Sequence, residues 1–463
     1  MKKSINRIAF FNFLSVLLLQ GISLISSPLF SRLLGTAGYG VLSSFSVWAT
    51  MVTTVLSLQS GVTIANARLE FSEEEQPKYQ SSAMALSILS FLLGGGILLA
   101  LAGPISDAAK ISRTLLIMIL AESFGSFCVS FLSSKFTYEF QAEKNMLLSV
   151  LAAVAIFGAS LLLVLNMPQE QRYFGRILGS VLVYGVIGMI GCAWILCRGK
   201  TLYHPRYWKF CLLIGVPLVF QNLAYSILGS SDVLMLKQMK SAEDSGIYSL
   251  AFTLCSVMYT LYNAINTSWV PFFYDDMKQH NRDNVLSQSR NYIELYSVLS
   301  IGFILLVREV YHIYAGESFW SGIELMPFFV ANYYGNMLCT FPVNYEIFRK
   351  KTTTVAAATI VAALANVVLN YFFILRFGMA GAAAATLLAR MLQLLLHEWY
   401  CRRLLGKEDY PFTVRPGIIG SAAVLAAIGI FYAAADVPYL RWVLGALLGI
   451  WELYRIRKRR SLL

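Results

Sequence analysis

Arg390 stands about ten residues into an apolar run, residues 380–400, too deep for its guanidinium to reach either membrane surface cheaply. A central arginine costs ~2.5 kcal/mol or more on the insertion scale, so it requires an acidic partner, a phosphate or a water-lined cavity. Glu122, in the run 114–134, is the carboxylate that a structural ion pair would use. Arg32 follows Pro28 by four residues, where a bend would turn a guanidinium inward to grip a phosphate with two hydrogen bonds. An interfacial anchor reaching toward headgroups fits the same position. Gln20, Gln59, Gln221, Asn222, Asn263 and Asn266 also lie in apolar runs, and Asn332, Asn336, Asn344, Asn366 and Asn370 follow further on. Amides offer a donor and an acceptor each to a hydroxyl-rich ligand, or hold helices together at ~0.6 kcal/mol apiece. Glu122 and Asp232 are the main carboxylates in such runs. Either would bind a coupling ion or orient its helix, Asp232 against Lys237.

The elements that position these groups follow from composition. The chain has 463 residues, 57% hydrophobic and 13% charged, whereas a soluble globular chain keeps roughly a quarter of its residues charged. With a mean hydropathy of +0.62, this is an all-α integral membrane protein. Apolar runs of about 20 residues recur and predict fourteen spans between residues 8 and 454, of which 440–454 is the shortest. The connections average about 12 residues, too short for a domain of about 100 residues or more, which excludes a fused nucleotide-binding or catalytic domain.

The net charge of +12 raises the question of a nucleic-acid partner, and the distribution of the charge answers it. With the N-terminus inside, the tails and even-numbered connections carry 26 of the 37 Lys and Arg residues. They begin at Lys2, Lys3 and Arg7 and end at Arg455, Arg457, Lys458, Arg459 and Arg460. The opposite side carries 10, and Arg390 lies within a span. That asymmetry is the positive-inside pattern. It predicts cytoplasmic termini and no nucleic acid.

Sites for covalent chemistry are not evident. Seven cysteines and four histidines are scattered without a disulfide or metal spacing, and His397, within a span, reads as a hydrogen-bonded packing residue. A phosphate-binding G-x-x-x-x-G-K-[ST] loop is absent, so no ATP use, no cofactor and no metal are expected. Arg308 and Glu309 read as a solvated span end. The connection 271–290 reads as a surface helix, with Trp269, Phe272, Phe273 and Tyr274 at headgroup level.

A repeat is visible. Residues 37–45, AGYGVLSSF, and 244–252, DSGIYSLAF, match Gly40 to Gly246, Val41 to Ile247 and Ser43 to Ser249 at an offset of 206. Gln20 and Gln221 lie at nearly the same offset. This predicts two six-helix halves, residues 1–200 and 201–405, related by a pseudo-two-fold axis along the membrane normal, and an appended two-helix hairpin with a basic tail, residues 406–463.

At this point the sequence resembles a known family. The runs N-x-L-S-V-L-L-L-Q-G-I and S-R-L-L-G-T-A-G-Y-G, the run D-V-L-M-L-K-Q-M-K-S-A-E-D-S-G-I-Y-S-L-A, Pro271, and F-G-M-A-G-A-A-A-A-T carry the likeness. They resemble the bacterial polysaccharide and lipid-linked oligosaccharide flippases of the multidrug, oligosaccharidyl-lipid and polysaccharide exporter superfamily, over residues 1 to about 405. The resemblance implies two six-helix bundles facing a cavity that opens alternately to either side. It also implies an undecaprenyl-pyrophosphate-linked glycan as substrate, turned from the inner to the outer leaflet of the cytoplasmic membrane, with membrane lipids and polysaccharide-assembly proteins as partners; a monomer is the default expectation for a chain that contains both halves. A cation-coupled drug exporter of the same superfamily is the main alternative, disfavoured by the lack of a carboxylate in span 1. A polytopic glycan polymerase or ligase is the other, and it is expected to need a longer outward loop than residues 309–324 provide.

Overall fold

A computed structural model describes residues 5–403 and 410–459, and every regular element among them is helical. Lys2, Lys3 and Arg460, counted above toward the cytoplasmic charge, lie outside the described residues. The helices gather into two compact units, Met1–Gly246 and Ile247–Leu463.

The first unit contains α1 (Ile5–Leu56), α2 (Ser60–Glu70), α3 (Gln76–Ala100), α4 (Ala102–Ala109), α5 (Arg113–Tyr138), α6 (Ala142–Leu165), α7 (Arg172–Gly199), α8 (Pro205–Met239) and the start of α9 (Ala242–Lys278). As one straight rod, the 52 residues of α1 would measure about 78 Å. Instead the backbone breaks at Gly35, with φ 68° and ψ 177°, a conformation open to glycine. Leu19 and Ser46, which a straight helix would hold about 40 Å apart, line one cavity, so the two halves of α1 run back along each other. Two features fix the ends of other helices. Ser112 caps α5 by accepting from the Leu115 N–H at 3.2 Å. Ser241 accepts from the Asp244 N–H at 3.0 Å and donates to that residue's carboxylate, which starts α9 just ahead of the repeated segment. Lys135, counted among the cytoplasmic charges, is buried. Its ammonium donates to Gln80 Oε1 at 2.7 Å and to Glu139, and stands over the Trp194 ring, tying α3, α5 and α7 together.

The second unit holds the rest of α9, then α10 (Arg282–Tyr314), α11 (Met326–Phe348), α12 (Thr352–Arg403), α13 (Val414–Ala433) and α14 (Pro438–Arg459). α12 repeats the device of α1. Gly378 takes φ 57°, and a Cβ placed on Gly381 would lie 2.1 Å from the Phe373 carbonyl oxygen, where a straight helix would leave about 12 Å.

Eight helices among the described residues are long and apolar enough to cross a membrane. Counting α1 and α12 twice for their folded-back halves gives ten crossings. α9, α10, α11 and α14, of 37, 33, 23 and 22 residues, are more polar and fall outside that set, so the expected total of fourteen rests for these four on length alone.

Two expectations are corrected. Trp269 and Phe273 do not face outward as an interfacial belt would; both are fully buried, stacked on each other and packed against Phe412, while Phe272 is exposed. α9 continues through Pro271 to Lys278, which carries the aromatic run into the core instead of along a surface. Arg308 and Glu309 are not a solvated end either. Arg308 pairs with Glu324 at 2.9 Å, and Glu309 with the buried Arg441 of α14 at 2.5 Å, clasping the final helix to α10.

Candidate functional site

In the first unit, the second half of α1 and α5 each carry hydroxyls at helical spacing: Ser46, Thr50, Thr53 and Ser57 on one, Ser123, Ser126, Ser130 and Ser133 on the other. Most of them line a cavity of about 560 Å³ that Gln59 and Glu122 also reach. Glu122 borders a second cavity of about 310 Å³ with Ser23, Ser26, Arg176, Ser180 and Tyr184. Ser180 donates to Glu122 Oε2 at 2.5 Å, and Arg176 donates to Ser160 at 3.1 Å with its guanidinium over the Phe30 ring. This is a hydroxyl-rich chamber around one carboxylate and one arginine. The serine and threonine stripes and Arg176 went unread in the sequence, although the 3.6-residue period of the hydroxyls inside apolar runs was the signal.

Gln59 sits just past the end of α1 at φ 51°, and Asn222 of α8 donates to its Oε1 at 2.9 Å. The structure thus brings together two of the residues singled out by type. The bond serves packing at least as directly as ligand binding: Asn222→Ala is expected to lower stability by about 0.6 kcal/mol, read by thermal unfolding in detergent. Gln20 and Gln221 are half-buried in the same unit, Arg32 is exposed, and Asp232 is buried.

In the second unit Arg390 is 9% exposed. It donates from Nε to Asn332 Oδ1 at 3.3 Å and from Nη1 to Gln393 Oε1 at 2.5 Å, and Gln393 in turn donates to Thr359 at 3.1 Å. The hydrogen bonds of Arg390 thus go to neutral amides of its own unit, and Glu122 shares its cavity with Arg176. Asn266 accepts from Asn344 at 3.2 Å, linking α9 to α11, and Asn263 is half-buried one turn earlier. Asn370 donates to Asn366, which donates to Thr386, forming a second amide chain within α12.

Polar and charged groups gathered inside apolar helical units, with bends at glycines, are the architecture of a polytopic helical membrane protein. Its relatives give the family. A family model described as polysaccharide biosynthesis protein matches residues 6–277, more than half of the chain, and the protein belongs to that family. A Lsg locus protein of Haemophilus influenzae is 23% identical over 266 residues, covering 54% of this chain and 61% of the relative, so the match spans under two thirds of that protein's length. Among solved structures, the lipid II flippase MurJ in an inward closed conformation aligns with a TM-score of 0.75 at 15% identity over 98% of this chain and 99% of that one. An inward-facing multidrug resistance MATE transporter of the MOP superfamily aligns with a TM-score of 0.58 at 13% identity, over 86% and 94%. These likenesses show that the chain shares the fold of these two proteins.

Proposed function

We propose that the protein is a flippase that moves a polyprenyl-pyrophosphate-linked oligosaccharide from the inner to the outer leaflet of the cytoplasmic membrane. It works by alternating access of two six-helix halves, residues 1–200 and 201–405, with the hairpin 406–463 appended. The observation that carries this reading is Arg390, a buried cation whose hydrogen bonds run to two amides, an arrangement that leaves its charge for an anion. Pyrophosphate supplies that anion, and the amides and hydroxyls suit the sugars. Arg32, Gln20, Gln59, Gln221, Asn222, Asn263 and Asn266 are the further substrate contacts of this reading, and Glu122 and Asp232 its ion-coupling carboxylates. No covalent step is needed. The glycolipid headgroup travels in water-lined space while its tail stays in lipid, driven by an ion gradient, the membrane potential or mass action.

Glu122 in a hydroxyl-lined chamber favours one second reading, a cation-coupled drug exporter, because a carboxylate there suits a cationic cargo. Lipid analysis of cells lacking the protein separates the two. Polyprenyl-pyrophosphate glycans are expected to accumulate on the inner leaflet with drug tolerance unchanged. Normal glycolipids with increased sensitivity to cationic drugs would reverse the assignment.

A further inference from the structure

The polar stripe of α12 does not end at Arg390. Arg390, Gln393, His397 and Cys401 follow one another at helical spacing, all buried, and at His397 the stripe meets a carboxylate. Glu346, near the end of α11, is fully buried, and His397 Nδ1 lies 2.7 Å from its Oε1. Two more groups of α12 converge on the same carboxylate: the Thr354 hydroxyl from the start of the helix donates to Oε2, and the Cys401 thiol lies 3.7 Å from Oε1. Glu346 therefore fastens α11 to both ends of the folded-back α12. The second imidazole nitrogen, Nε2, is buried with no hydrogen-bond partner among the described residues.

The surrounding charges are otherwise matched. Glu398, one residue on, is held by Arg402 at 2.7 Å and by the Tyr410 hydroxyl at 2.8 Å. On α10, which also packs on α11, Arg290 and Glu294 pair with each other, and Glu294 with Arg455; Arg415 of α13 is exposed. Arg390 is engaged two turns away by Asn332 and Gln393. Lys350 and Lys351 lie exposed in the α11–α12 turn, with only the Lys351 backbone N–H reaching the Glu346 carbonyl. Arg349, three residues on, is exposed as well, and among the described residues His397 is the basic side chain that reaches the Glu346 carboxylate.

We propose that Glu346 and His397 form a proton-binding site, its ligand one proton taken from water at His397 Nε2. With the imidazole neutral, Nδ1–H donates to the carboxylate and the pair carries one negative charge. With the proton bound, the pair is an imidazolium against a carboxylate and carries none. A net charge in a buried site disfavours burial, so loss of the proton loosens the fastening of α11 to α12, and its return restores it. The site makes the packing of the second unit proton-dependent, whatever the protein carries.

The other three histidines, His204, His280 and His312, are exposed, which opens a direct test. Substituting them as His204→Gln, His280→Asn and His312→Gln leaves His397 the single imidazole of a protein whose buried clasp is untouched. In that variant, ¹⁵N-histidine labelling and NMR in nanodiscs are expected to show one imidazole passing from the neutral to the doubly protonated form as the pH is lowered across the range in which the protein stays folded. Adding Glu346→Gln is expected to weaken proton binding about tenfold or more. A single neutral tautomer throughout that range, or a titration that Glu346→Gln leaves in place, would overturn the proposal.

Discussion

Replacing Gly40 with Val is expected to destabilise the first unit by about 1–3 kcal/mol, the usual cost of forcing added methyl groups into a packed contact. A Cβ on Gly40 would stand 1.8 Å from the Ala242 carbonyl oxygen, and one on Gly246 would stand 2.1 Å from that of Thr36. These are main-chain atoms at the start of a helix and cannot swing away as the end of a side chain would. The two glycines are the pair matched in the repeat, and the folded chain brings them together, so Gly246→Val should act in the same direction. Gly96, inside α3 with nothing within 4 Å of its added Cβ, supplies the control: Gly96→Ala should leave the melting temperature unchanged or raise it slightly, since Ala favours a helix interior over Gly by up to about 1 kcal/mol. Equal melting temperatures for Gly40→Val and wild type would show that the close approach is not held in the membrane.

The second large effect is expected at Arg390. Arg390→Ala should lower complementation of a deletion strain about tenfold or more while the protein remains inserted, because a charge-assisted contact of about 1.5–3 kcal/mol to the anion is lost. Arg390→Lys should fall between the two. It keeps the charge but lacks the planar fork that Nε and Nη1 use to hold Asn332 and Gln393 at once. Full complementation by Arg390→Ala would reduce the arginine to a packing role. Loss of insertion in both variants, with amounts matched by quantitative blotting, would do the same.

The membrane class and helical architecture were legible because lipid exposure demands apolar surface on most helices, and composition records that directly. Partnerships were less legible. Periodicity places Arg390 and Glu122 at comparable depth but does not say which helices touch, so neither the amide partners of Arg390 nor the arginine that shares the Glu122 cavity could be read from it. Glu346 escaped notice because it lies three residues before Arg349, where a span end normally meets water; only the return of α12 past it puts His397 and Cys401 against its carboxylate. Trp269 and Phe273 misled for a related reason. Aromatic residues near a span end fit a headgroup belt as well as a core, and the continuation of α9 beyond Pro271 decides between them. The amides Gln59, Asn222 and Asn266 were found by type alone, since an amide in an apolar run must be satisfied by something. The structure supplies helix-to-helix bonds for them, leaving their part in substrate binding to experiment.

The most direct measurement of the central claim is translocation by the purified protein in liposomes. The substrate is a fluorescent polyprenyl-pyrophosphate oligosaccharide, followed by the fraction that a membrane-impermeant quencher can reach. Time-dependent exchange between leaflets with the wild-type chain, slowed by Arg390→Ala, is the result expected of a lipid-linked oligosaccharide flippase. Leaflet exchange no faster than in protein-free liposomes, from protein shown to be folded and correctly inserted, would contradict it.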